Sequence, residues 1–483
     1  MMDLRPCYEG YAGMAQETRL LFALFAGLDL GRFGALASGV HFTSRHPGCR
    51  QSGATPFDRV LAQTAAIIAQ DTGRITWQAP LGMLPETLRR ALFKPYLVLT
   101  EGRRQERLTL QIDPREFGDY LWTKLFEKSL PATDRALMAR AQFYPTELGH
   151  EYARSLCMLP RVVQRRVASA AWDVFFSANV TPYRFAPGTA SMVRYYDALP
   201  LLSPHTIGAP WMHSASHARI LARNMADGAS FYCDSEPVRD DLLRLFPQAE
   251  ARVHTIPVVV SPTLYPDPQP DRALRTILTR RRSPATVHEA APVPEVLPKL
   301  FMAVSTLEPR KNYLTLFRAF EIARAKTATP MQLLIIANPG WRSDAELTEL
   351  SALVRDGAYH LSGVPSDELR VLYSMAHCVV APSRAEGFDY SGVEAMACGT
   401  PVIASDIPVH RWVYGDAATY FDPYSANALA AMMARVADLA PDDGYMAEAR
   451  ERGHAQARLY TPAALAPRWE AAIQAACRRT PAR

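Results

Sequence analysis

LFMAVSTLEPRKNYLTLFRAFEIARAKTATPMQLLIIA, residues 300–337, opens and closes on short unbroken apolar runs. Such runs, four to eight residues long, read as strands buried on both faces. Between them YLTLFRAFEIARAK places apolar residues three and four apart, the period of an amphipathic helix. The same alternation continues down the chain. YHLSGV (359–364), HCVVAPS (377–383), PVIAS (401–405) and ATYFD (418–422) read as further strands. SDAELTELSALVRDG, SDELRVLYSMA, SGVEAMA and SANALAAMMARVADLA read as the helices between them. Strand and helix in strict alternation predict βαβ units, a parallel sheet and an α/β, doubly wound domain over residues 300–464. Ligands of such sheets sit beyond the carboxyl ends of the strands, so the loops after the strands are where chemistry belongs.

Working outward, residues 263–299 are rich in proline and charge and read as an interdomain linker. Residues 1–262 form the expected first domain. MDLRPC reads as its first strand, followed by a loop bearing Gly10 and Gly13 and the helix AQETRLLFALFAGL. DVFFSAN, MVRYYDALP, ASFYCDS and RVHTIPVVV read as later parallel strands, so a second Rossmann-like domain is expected to face the first. Residues 41–165 carry no clear period and are expected to elaborate the first domain. The end of the chain, residues 465–483, reads as a helix that crosses back.

Composition bounds the function. A chain of 483 residues exceeds one core and fits two domains. Fifty-three basic residues against 48 acidic ones leave a net charge of +5, too mild to imply nucleic-acid binding. Seven cysteines (Cys7, Cys49, Cys157, Cys233, Cys378, Cys398 and Cys477) are scattered without a C-x-x-C pair, which argues against a disulfide framework or zinc site and for a reducing compartment. The N-terminus MMDLRPCYEG lacks a basic-then-apolar leader, and no apolar run approaches the roughly 20 residues that span a bilayer. A cytoplasmic protein is expected, with peripheral contact at the inner face of the plasma membrane allowed.

The chemistry concentrates in APSRAEGFDYSGVEAMACGTPVIASD, residues 381–406. Glu386 and Glu394 are separated by seven residues, one in a loop and one in the first turns of a helix, a spacing that aims both at one crevice. Carboxylates accept the protons of vicinal sugar hydroxyls. Backbone amides from Gly387 through Phe388, Asp389 and Tyr390 to Ser391 offer donors at a helix start. The rival reading makes Ser391-x-x-Glu394 a capping box that only satisfies the helix's own amides. A second signal is VSTLEPRKN, in which Arg310 and Lys311 precede a helix whose dipole disfavours cations there. A diphosphate would be held well by that pair; the rival is a solvated pair, or one internal to Glu308.

These motifs carry a resemblance. The E-P-R-K-N segment (308–312), the E-x7-E stretch and the tail SDIPVHRWVYGDAATYFDP resemble the retaining glycosyltransferases of family 4 (group 1 glycosyltransferases), which have the GT-B fold of two Rossmann-like domains. The likeness is specific over residues 300–425 and extends weakly over 170–260 and to GYAGMAQETRLLF. It implies that Lys311 and Arg310 bind the donor diphosphate and that Glu386 faces the transferred sugar. The amides of 387–390 would meet the sugar's hydroxyls, and Glu394 the ribose. Gly13, Tyr196 and Asp197 would serve the acceptor or phosphate side.

The chain departs from the family in reading Ser305-Thr306 where arginine is common, Tyr196 where histidine often precedes the aspartate, and Trp412 where glutamate is common. His213 and His217 are the candidates to replace that histidine. The implied reaction moves a hexose from a nucleoside-diphosphate sugar, GDP-mannose first, to a saccharide or polyprenyl-linked acceptor with retention, in cell-surface polysaccharide assembly of the mannosyl or rhamnosyl type. No cofactor or metal is implied, because no D-x-D pair appears. A nucleotide-sugar epimerase and a non-catalytic sugar-nucleotide-binding protein are the alternatives.

Overall fold

Buried apolar strands laid side by side explain both halves of the computed structural model, which describes residues 1–8, 10, 13–37, 55–72, 105–106, 108, 110–146, 150–158, 165–208 and 210–479. The first half supplies β1 (Met2–Asp3), β2 (Phe33–Ala37), β3 (Gln105–Glu106), β4 (Ala141–Pro145), β5 (Arg165–Val167), β6 (Val174–Ser177), β7 (Tyr183–Arg184), β8 (Ala190–Tyr195), β9 (Ser230–Cys233) and β10 (Val253–Thr255). The second supplies β11 (Lys299–Val304), β12 (Met331–Ile336), β13 (Tyr359–Leu361), β14 (Cys378–Ala381), β15 (Val402–Ser405) and β16 (Ala418–Phe421).

Two large sheets result, both wholly parallel: β10-β9-β8-β6-β1-β2-β4 and β13-β12-β11-β14-β15-β16. Each starts in its middle and winds outward in both directions, so each has one point where the strand order reverses. That point lies between β1 and β6 in the first sheet and between β11 and β14 in the second. Connections leaving on opposite faces open a crevice there, at the carboxyl ends. The molecule is therefore α/β, with two Rossmann-like domains facing each other across a cleft.

The second sheet is covered on both faces. Leu300, Met302 and Leu334 belong to one apolar cluster; Phe301, Ala303, Leu333 and Ile335 belong to the other. The helix Tyr313–Lys326 buries Leu316, Phe317, Phe320 and Ala323 against that second face, the stripe its period demanded.

Several boundaries differ from expectation. Residues 263–299 hold a helix, Asp271–Arg280, whose Leu274, Ile277 and Leu278 join the second domain's core. A three-residue apolar stripe among arginines hides this period in the sequence. Arg281 then pairs with Glu368 at 2.6 Å, tying the segment down. Within 41–165, β4 is the edge strand of the main sheet beside β2, and Leu121, Trp122, Phe126 and Phe143 lie in the first core. Much of that stretch, residues 38–54 and 73–104, lies outside the described residues, Cys49 included. MDLRPC gives only a two-residue strand before a 3-10 turn, Arg5–Tyr8. The helix Pro462–Arg479 buries Leu465 and Trp469 in the first domain's core, where Trp469 stands 5.5 Å from the rings of both Phe25 and Phe176.

Candidate active site

The two reversal points face one interdomain cleft of about 480 Å³. From the first domain it is lined by Gly13 and Gln16 after β1, Tyr196 and Asp197 after β8, and Asp234 after β9. From the second come Arg310 and Lys311 after β11, then Glu386 to Ser391 and Glu394 after β14. The structure thus brings Gly13, Tyr196, Asp197, Arg310, Lys311, the loop 386–391 and Glu394 to the same space, but not His213 or His217.

Asn312 builds the cationic turn. It sits in the left-handed region (φ 60°), which asparagine tolerates better than most residues, and so ends the 3-10 turn Pro309–Lys311 sharply. Its buried amide donates to Pro382 O (2.9 Å) and Pro423 O (2.8 Å) and accepts from the Thr315 hydroxyl (2.7 Å). The backbone carbonyl of Arg310 accepts from Arg384 N at 2.8 Å. The loops after β11 and β14 are therefore fixed to each other, and their side chains meet. Lys311 Nζ lies 2.5 Å from Glu386 Oε1, and an Arg310 guanidinium nitrogen 2.7 Å from Glu386 Oε2. Arg310 Nε also reaches Glu308 at 3.0 Å, so the internal pair and the cleft-facing pair coexist. Burial pushes the Glu386 carboxyl up, but Lys311 and Arg310 outweigh it and hold the group below its ordinary range.

The E-x7-E loop turns into the helix Tyr390–Ala397. Here the capping-box reading fails. Asp389 caps the helix, accepting from Ser391 N (3.0 Å) and the Ser391 hydroxyl (2.8 Å), with His410 Nε2 3.2 Å from its other oxygen. Glu394 instead accepts from Tyr373 OH at 3.0 Å and, across the cleft, from Gln16 Nε2 at 2.9 Å. Burial pushes its carboxyl up to about 7, against the opposing pull of those two hydrogen bonds. Gly387 makes the closest approach between domains. A Cβ there would stand 1.7 Å from Tyr196 O, and its own carbonyl accepts from the Ser235 hydroxyl at 2.7 Å. Phe388 packs edge-on to Tyr390, ring centres 5.7 Å apart.

On the first domain, Gly13 (φ 62°) precedes the helix Met14–Gly27 and aims that helix's positive end at the cleft. Asp197 caps the following turn through Leu199 N (3.0 Å); burial raises its carboxyl, with Arg310 pulling the other way from the opposite domain. Tyr196 is half-buried, its hydroxyl enclosed, beside the Glu17–Arg194 pair, itself wholly enclosed at 2.5 Å.

His213 and His217 do not line the cleft. Burial pushes His217 down to about 4 as it packs on Tyr195, and His213 stacks edge-on against Trp341. Trp412 packs against the second core. Among the described residues no group of three or more His, Cys, Asp or Glu side chains is placed to hold a metal. Gln16 and Asp234 are cleft residues that sequence reasoning missed, as it missed Tyr373, buried against Glu394. Gln16 is signalled only by its place three residues after Gly13, Asp234 only by closing the run ASFYCDS.

Residues 289–453 match the model of the family described as "Glycosyl transferases group 1", a span that contains both the Arg310–Lys311 turn and the E-x7-E loop. The second domain is thus similar to group 1 glycosyltransferase domains. The chain is 30% identical over 231 residues to O-antigen chain mannosyltransferase B of Escherichia coli, covering 46% of this chain and 54% of that one. It is 35% identical over 127 residues to O-antigen chain mannosyltransferase RfbU of Salmonella typhimurium, covering 26% and 34%. The matched region thus spans about half or less of these curated relatives. Among solved structures, a sucrose-phosphate synthase from Thermosynechococcus elongatus superposes with a TM-score of 0.49 at 20% identity, covering 63% of this chain and 73% of that one. Among the described residues no helix is long and apolar enough to cross a membrane.

Proposed function

We propose that the protein transfers a hexose from a nucleoside-diphosphate sugar to a saccharide or polyprenyl-linked acceptor, with retention of configuration, in the assembly of a cell-surface polysaccharide. The observation that carries this reading is the convergence of Arg310, Lys311, Glu386 and Glu394 on one cleft between two domains. Two cations at a helix start suit a diphosphate, and a buried carboxylate eight residues beyond the first suits a ribose diol. Likeness to two O-antigen mannosyltransferases supports a mannosyl donor, with GDP-mannose the first choice.

In this reading Arg310 and Lys311 neutralise the departing diphosphate, so the chemistry needs no metal and no resident cofactor. The donor's own phosphate oxygen takes the acceptor's proton, and closure over the cleft excludes water. Gly13 and the end of the helix Met14–Gly27, with Tyr196 and Asp197, serve the acceptor and phosphate side. The enzyme works in the cytoplasm, at the inner face of the membrane when its acceptor is lipid-linked.

A thermal-shift panel of nucleotide sugars, run beside Lys311→Ala and Glu394→Ala, tests the site. One nucleotide family should raise the melting temperature of the wild type and of neither variant. Equal responses from wild type and variants would sink the reading.

A further inference from the structure

One carboxyl in the cleft has no part in the reaction proposed above. Asp234 directly follows β9, immediately before the Ser235 hydroxyl that caps the helix Glu236–Leu245 and reaches Gly387 O. It lines the same cleft and is 2% exposed, yet among the described residues its enclosed Oδ1 has no hydrogen-bond partner. Leaving a buried acceptor unmet costs free energy, and native folds rarely do so.

The cations nearby are already committed. Arg194 gives Nε and one terminal nitrogen to Glu17 (3.2 and 2.5 Å) and the other to Ile256 O (2.5 Å), while Arg310 and Lys311 hold Glu386. Across the cleft stands Gly387, next to Glu386; a Cβ there would lie 3.2 Å from Asp234 Oδ2. From that same loop the enclosed hydroxyl of Tyr390, a residue that lines the cleft, has no hydrogen-bond partner among the described residues. Unmet polar atoms of both domains, Asp234 Oδ1 and the Tyr196 hydroxyl from the first and the Tyr390 hydroxyl from the second, therefore border the space beside the residue assigned to the transferred sugar. A ligand carrying several hydroxyls would satisfy them.

We propose that Asp234 is a specificity-determining residue for the sugar, its Oδ1 accepting a hydrogen bond from one ring hydroxyl of the transferred hexose. The proposal rests on the donor-site reading above. Burial, with the added push of Glu17 and Asp197, holds the carboxyl well above its ordinary range against the pull of Arg194. The neutral acid accepts through its carbonyl oxygen and adds no negative charge beside the diphosphate. Asparagine reproduces that acceptor; alanine does not.

The test compares wild type, Asp234→Asn and Asp234→Ala in steady-state kinetics with GDP-mannose, or the nucleotide hexose the panel selects, and with its monodeoxy analogues. Calorimetry with the parent nucleoside diphosphate and melting temperatures are taken alongside. Asp234→Ala should lose about 10- to 100-fold in kcat/KM, the range for one buried hydrogen bond, and Asp234→Asn no more than about 3-fold. Affinity for the nucleoside diphosphate should hold within about 2-fold in all three, because the contact is to sugar alone.

One monodeoxy donor should be turned over by wild type as poorly as the full donor is by Asp234→Ala, with no further loss when the two changes are combined. Removing an unmet buried acceptor should leave the melting temperature of Asp234→Ala at or above wild type, which a structural role would not. Unaltered kinetics in Asp234→Ala, additive losses with every deoxy donor, or nucleoside-diphosphate binding lost in step would overturn the proposal. A wild type that binds no nucleoside diphosphate would instead overturn the donor-site reading on which it stands.

Discussion

Arg310 and Lys311 each bring positive charge to a helix start where the backbone already presents some. Glu386 offsets this in the free protein, and in the proposed reaction a diphosphate would offset it better. Lys311→Ala should therefore lower kcat/KM by about 100- to 1000-fold, roughly 3–4 kcal/mol of transition-state stabilisation, while the fold persists; initial-rate kinetics beside circular dichroism would check both.

Glu394 makes a pH prediction. Its carboxyl in the free protein titrates near 7, above the ordinary 4.5, so the folded chain holds an extra proton between those values. Its contribution to stability is full below about 4.5 and is lost as pH rises through 7. A ribose diol prefers the ionised form, so binding releases that proton. Donor KM should rise about tenfold per pH unit below 7 and level off above it, and Glu394→Gln should flatten the slope. A wild-type KM unchanged from pH 8 to 6 would dismiss the assignment.

The turn 308–312 shows how one short element positions two charges. Asn312 holds two buried hydrogen bonds and a third, partly buried one at a backbone angle few residues accept. Asn312→Ala should cost about 2–4 kcal/mol, summing lost hydrogen bonds and left-handed strain, and should raise donor KM because Arg310 and Lys311 lose their mount. Asn312→Gly should recover only the strain part; urea midpoints of the two variants would separate the terms. The second sheet was legible strand by strand, because its strands other than the half-buried edge strand β16 are short apolar runs buried along nearly their whole length. The cations and the paired glutamates were legible for a related reason: their types contradict local helix physics or repeat at a spacing that chemistry uses. What escaped notice was whatever depends on a distant partner. Gln16 looks like any first-turn glutamine until Glu394 arrives from 378 residues away. The Asp271–Arg280 helix shows three apolar residues and needs the second core to explain them. Ser391 and Glu394 imitate a capping box, and only coordinates reveal that Asp389 does the capping.

At the scale of the whole molecule the two domains touch where they would act. Gly387 leaves no room for a methyl group before Tyr196 O, so Gly387→Ala should hold the domains apart without unfolding either. Small-angle scattering should show a larger radius of gyration, and kcat should fall more than melting temperature; an unchanged radius with full activity would contradict this. The other long-range tie is the last helix, whose Trp469 is wholly buried between Phe25 and Phe176. Trp469→Ala should cost about 3–5 kcal/mol, and the loss should register in the first domain, as hydrogen exchange of its strands would show. This arrangement also bears on biosynthesis. On the ribosome the early half emerges first, but a wedge of its interior is encoded far downstream, after the whole second domain. At roughly 5–20 residues per second, that half waits on the order of tens of seconds, its apolar seam uncovered, until the helix Pro462–Arg479 leaves the exit tunnel. Nascent chains should engage chaperones until that helix is made, and a chain truncated just before Pro462 should be cleared by proteolysis, although every described residue that lines the cleft would already have been made.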